Sequence, residues 1–115
     1  MEELSKKMEI ARKAYGISTV FMSDILGFGI NQWRNYENGI KPNKSNYNLI
    51  RLAITPIGLK RILDISPKNI KEHKQFPKLY FKVSGMVYQI ENDLRLIRDN
   101  ANENFFNNWM PDKLI

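Results

Sequence analysis

Glycine punctuates the first part of the chain at Gly16, at Gly27 and Gly29, and at Gly39, leaving only short segments between these stops. A helix commonly ends where a glycine can turn left-handed without a Cβ penalty. The segments between the glycines carry helical rather than alternating periodicity. Leu4, Met8, Ala11 and Tyr15 recur at spacings of four, three and four, which is one face of a first helix closed by Gly16. Ser18 is placed to cap a second helix with Met22, Ile25 and Leu26 facing inward. Gly27-Phe28-Gly29 forms the turn, and a third helix from Ile30 to Asn38 directs Trp33 and Tyr36 inward before Gly39. Lys41-Pro42-Asn43-Lys44 reads as a loop, with Ser45 capping a fourth helix that contains Tyr47, Ile50 and Ala53. Pro56 suits the first turn of a fifth helix holding Leu59, Ile62 and Leu63. No period-2 strand is visible, so the expected class is all-α.

The rest of the chain has a different pattern. Ser66-Pro67 reads as an N-cap and first-turn proline, and Phe76-Pro77 as the break ending that short helix. Beyond it Tyr80, Val83, Val87, Ile90, Leu94, Ile97 and Ala101 alternate spacings of three and four, a heptad pattern of about three repeats. The tail from Phe105 to Met110 is rich in aromatic residues and could anchor a dimer or hold another protein. The expected organisation is a helical domain over residues 1–66 and a C-terminal helical extension over 67–115, a dimerisation or partner-binding region.

Composition narrows the function. The 115 residues include 43% hydrophobic side chains, enough for a packed core, and a net charge of +6 favours an anionic partner. There is no cysteine and a single histidine, so neither a disulfide scaffold nor a transition-metal site is expected. His73, set among lysines, reads as an exposed surface residue. No catalytic set and no phosphate-binding glycine loop is visible, and no cofactor is expected. The charged N-terminus does not read as a secretory signal, and no stretch approaches the roughly 20 apolar residues that span a bilayer. The expectation is a soluble cytoplasmic protein, not an enzyme, with no membrane partner.

Arg12, Gly16-Ile17-Ser18, Leu26-Gly27 and Tyr36-Glu37-Asn38-Gly39 give the segment its character. In these residues the chain resembles the Cro/cI-like (XRE) helix-turn-helix family over about the first 66 residues. The resemblance implies a five-helix, lambda-repressor-like domain that binds double-stranded DNA. It also implies a salt bridge between Arg12 and Glu37 that joins the first helix to the third. Gly27-Phe28-Gly29-Ile30-Asn31-Gln32-Trp33 is similar, more narrowly, to the helix-turn-helix domain of MqsA-type antitoxins. There the residues matching Asn31 and Asn35 contact bases. An Arg is usual at the position of Asn35, so the operator sequence does not transfer. The Cys-rich zinc domain that often accompanies that module has no counterpart in a chain without cysteine.

The residues themselves support a groove-reading helix. With Trp33 and Tyr36 inward, Asn31, Gln32, Arg34 and Asn35 remain for the outer and N-terminal sides. Amides can read adenine bidentately, and arginine can read guanine. Ser18 and Thr19 at a helix start, with Lys41, Lys44 and Ser45 on the other side, are the expected phosphate contacts. One such domain reads a short half-site, so a homodimer is expected, its two half-sites about one helical turn apart. The stripe of Val83, Val87, Ile90, Leu94 and Ile97 could make that dimer or could pack on its own domain. The basic run of Lys68, Lys71, Lys74, Lys78 and Lys82 could add phosphate contacts or could simply be solvated. Three functions follow: a sequence-specific, dimeric transcription repressor, an antitoxin whose C-terminal region binds a toxin, or a protein-interaction module without DNA binding.

Overall fold

The computed structural model describes the backbone of residues 2–109 and the side chains of residues 3–101. Seven helices and no strand occur among the described residues. They are α1 (Glu2–Tyr15), α2 (Thr19–Leu26), α3 (Gln32–Glu37), α4 (Lys44–Ala53), α5 (Pro56–Asp64), α6 (Lys68–Lys71) and α7 (Phe76–Trp109). The all-α class expected from the periodicity is observed.

The glycine stops work as expected. Gly27 takes a left-handed backbone, φ 73°, and its N–H donates to Asp24 O while the N–H of Phe28 donates to Ser23 O at 2.9 Å. This paired closure satisfies carbonyls at the end of α2 that would otherwise lack partners. Gly16 and Gly39 close α1 and α3 in the same way. Gly58 serves a different end: a Cβ there would overlap the carbonyl oxygen of Leu52. Only glycine lets the start of α5 lie so close to the end of α4.

Several boundaries differ from the sequence expectation. Helix α3 begins at Gln32, not Ile30, and Asn31 stands at its N-cap without a side-chain cap bond. Asn43, not Ser45, caps α4, its Oδ1 accepting the N–H of Asn46 at 2.8 Å. Both residue types cap well, and the chain uses the one that follows buried Pro42. Ser66 caps nothing; its hydroxyl donates to Ile62 O, and Pro67 occupies the N-cap of α6. Phe76-Pro77 opens α7 and does not end α6, which stops at Lys71. A proline in the first turn lacks only an N–H that would have had no helical partner.

The core is continuous. Met8, Phe21, Met22, Trp33, Ile50, Leu59 and Leu63 are fully buried, and Leu79 and Val83 of α7 join the same cluster. Each fully buried aliphatic side chain of this kind stabilises the fold by about 2 kcal/mol. The first turns of α7 therefore complete the core of the preceding helices, chiefly by packing on α5.

The heptad stripe divides. Val83 and Val87 are buried and Ile90 is half-buried, but Leu94 is 57% and Ile97 64% exposed. The far part of α7 runs past the domain, and the molecule measures 64 × 32 × 21 Å. The aromatic tail from Phe105 to Met110 lies outside the described side chains. No helix among the described residues is long and apolar enough to cross a membrane.

Candidate nucleic-acid interface

A helix of six residues is too short to persist unaided, so α3 depends on what holds it. Its inner face is Trp33 and Tyr36, both buried. The backbone N–H of Trp33 donates to the Oγ of buried Ser23 at 3.0 Å, tying the start of α3 to α2. Tyr36 meets Phe28 of the turn edge-to-face at 5.8 Å, and its hydroxyl accepts from Asn46 Nδ2 at 2.8 Å. Ser5 of α1 donates to Tyr36 O at 2.7 Å. The short helix is thus fastened to α1, α2 and α4.

The strongest fastening is ionic. Arg12 Nε reaches Glu37 Oε2 at 2.6 Å and Nη2 reaches Oε1 at 3.0 Å, while Nη1 donates to Ile17 O at 3.1 Å. Trp33 Nε1 donates to the same carboxylate. The side chains are only 16% and 7% exposed, so the pair lies mostly out of water. The hydrogen bonds to Glu37 raise the guanidinium pKa above its ordinary value, against the opposing effect of burial. The Arg12–Glu37 salt bridge expected from the family resemblance is present.

On the opposite side, Asn31, Arg34 and Asn35 are exposed. Residues three and four apart share a helix face, so these three side chains stand together. Gln32 is half-buried, because it lies one turn before buried Tyr36 and shares its side of the helix. Exposed Lys41, Lys44 and Ser45 sit beyond the C-terminal end of α3 and in the first turn of α4.

Ser18 caps α2 as expected, but its other polar contacts lie outside the sequence expectation. Thr19 is half-buried, and Ser18 is already engaged. Ser18 Oγ accepts the N–H of Phe21 at 3.1 Å, and its own N–H donates to Gln75 Oε1 at 3.3 Å. Gln75 Nε2 returns a bond to Ser18 Oγ at 3.4 Å. Nothing in the sequence pairs residues 57 positions apart. His73 is also not the exposed residue expected: it is half-buried, its ring stacked on Phe21 at 3.9 Å and 17°. A surrounding of lysines in sequence said nothing about the aromatic ring that faces it in space.

No cluster of three or more potential metal ligands occurs among the described residues. Comparison of the chain with protein-family models, curated proteins and solved structures gave no match in any of the three.

Proposed function

We propose that the chain is a sequence-specific DNA-binding transcription regulator, a cytoplasmic dimeric repressor and not an enzyme. In this reading α2, the Gly27-Phe28-Gly29 turn and α3 form a helix-turn-helix of the Cro/cI-like kind. Helix α3 enters the major groove with Asn31, Arg34 and Asn35 toward base edges. Gln32 assists through its exposed part, and Thr19, Lys41, Lys44 and Ser45 hold phosphates on either side. Ser18 offers a phosphate only its hydroxyl hydrogen, because its N–H is given to Gln75 and its Oγ accepts from Phe21 and Gln75.

The observation that carries this reading is the two-sidedness of α3. Its polar residues Asn31, Arg34 and Asn35 are exposed while its opposite face is buried and locked by Glu37 on Arg12. A rigid short helix presenting two amides and an arginine fits the donor and acceptor pattern of the major groove.

Selection from random duplexes at physiological salt with the full chain tests it. The expected result is an enriched motif of two related half-sites about 10 base pairs apart, centre to centre. Absence of any enriched motif, with no retention of duplex, overturns it. The exposed outer stripe of α7 favours one second reading, an antitoxin whose α7 covers a toxin. Under that reading the same DNA test succeeds, and a protein encoded beside this chain binds it in a manner abolished by substitutions in α7.

A further inference from the structure

Four lysines are ion-paired among the described residues, whereas Lys6, Lys41, Lys44, Lys71, Lys74, Lys78 and Lys82 are not. Lys7, Lys13, Lys60 and Lys68 each pair with a carboxylate one helical turn away. Lys74, Lys78 and Lys82 are exposed and have no ion-pair partner among the described residues. They follow one another at intervals of four, and Lys78 and Lys82 lie on one face of α7. Like charges so placed repel, and no carboxylate among the described residues pairs with them.

These lysines border the turn that leads into α2. Lys74, Gln75 and Lys78 face Tyr15, Gly16 and Ile17 across a shallow cleft, and Lys82 Nζ lies 3.3 Å from where a Cβ on Gly16 would stand. The placement is fixed by contacts already described. His73 stacks on Phe21 and its Nδ1 accepts the N–H of Gln75 at 3.0 Å, which aims the Gln75 amide at Ser18. The α6–α7 junction is thereby clamped to the start of α2.

We propose that Lys74, Lys78 and Lys82 form a backbone-binding strip that holds the sugar-phosphate chain of duplex DNA beyond the bases read by α3. The inference rests on the proposed function, which places the start of α2 against the DNA backbone. From there the strip continues outward along α7, carrying charge but no groove-reading geometry. Its occupant is a phosphate chain of any sequence, so it adds affinity and footprint length without adding specificity.

The test uses the full chain and the variant Lys74→Gln/Lys78→Gln/Lys82→Gln, with Lys60→Gln/Lys68→Gln as a control that removes paired lysines. Affinity for the selected duplex, with long flanks and with trimmed flanks, is measured across a salt series by fluorescence anisotropy. The triple variant is expected to bind the long duplex about tenfold or more weakly. The slope of log K against log salt is expected to fall by about 2 to 3, at about 0.9 for each phosphate that the lysines no longer neutralise. The loss should be equal for selected and random sequence and should vanish on the trimmed duplex. Circular dichroism and melting of the variant should match the unaltered chain. An unchanged slope on the long duplex, in a protein that binds it, overturns the strip and leaves the proposed function standing. Failure of the unaltered chain to bind any duplex overturns both. Binding to phosphatidylglycerol vesicles that depends on these lysines, with duplex binding untouched, assigns the strip to a lipid surface and overturns it as well.

Discussion

Arg12 and Glu37 join the first helix to the third through two parallel N–H···O contacts of 2.6 and 3.0 Å, and Trp33 donates to the same carboxylate. Among the contacts that hold α3, this is the ionic one, and it gathers at a single side chain at the helix end. Removing Glu37 leaves a mostly buried guanidinium and an indole N–H without their acceptor. Glu37→Ala is expected to cost about 3 kcal/mol and to lower Tm by roughly 10 °C. Operator binding should fall with it, because α3 loses its fixed orientation. Arg12→Lys should not restore the pair, since an ammonium cannot make the forked contact. Thermal melting checks both variants, and unaltered stability in Glu37→Ala would show that the pair carries no weight.

The exposed residues of α3 should behave in the opposite way. Asn31→Ala and Asn35→Ala leave the core untouched, so melting should stay within about 0.5 kcal/mol of the unaltered protein. Affinity for the selected duplex should fall by about 1–3 kcal/mol for each, with little change on random duplex. Competition binding separates these effects. Equal weakening on both duplexes would place the amides on phosphates instead of bases.

Asp64 links α5 to α7. Its carboxylate accepts from the Tyr80 hydroxyl at 2.6 Å and pairs with Lys60 at 3.1 Å. The Tyr80 hydrogen bond, and then Lys60, hold the carboxyl below its ordinary pKa. A carboxyl whose pKa is lowered on folding contributes stability that is fully present above the ordinary carboxylate range. That contribution is lost as pH falls through the folded-state value. The Tm of the unaltered chain should decline more steeply than that of Asp64→Asn as pH drops below about 4. Parallel curves for the two proteins would remove Asp64 from the acid response.

The proposed dimer would form on the outer stripe of α7. Leu94, Leu96 and Ile97 are more than half exposed, and an unpacked helical segment of this length is marginal in water. Leu94→Asp/Ile97→Asp should shift the protein from dimer to monomer in sedimentation experiments while the domain still melts cooperatively. A protein that is monomeric at micromolar concentration before any substitution would take the dimer away from this face.

Local spacing determined much of this protein. The glycine stops, the inward Trp33 and Tyr36, and the outward Asn31, Arg34 and Asn35 follow from helical periodicity, which is a property of neighbours in sequence. The Arg12–Glu37 pair was legible through the family resemblance of residues around it. Periodicity says which face of a helix is apolar, but not what covers it. Only the packed chain decided that Val83 and Val87 enter the core while Leu94 and Ile97 remain outside, because that depends on where the surface of the domain ends. Only packing brought Gln75 to Ser18 and His73 to Phe21, since no local rule relates residues so far apart. The choice of Asn43 over Ser45 as a cap was likewise made in three dimensions, between two residues of nearly equal capping strength.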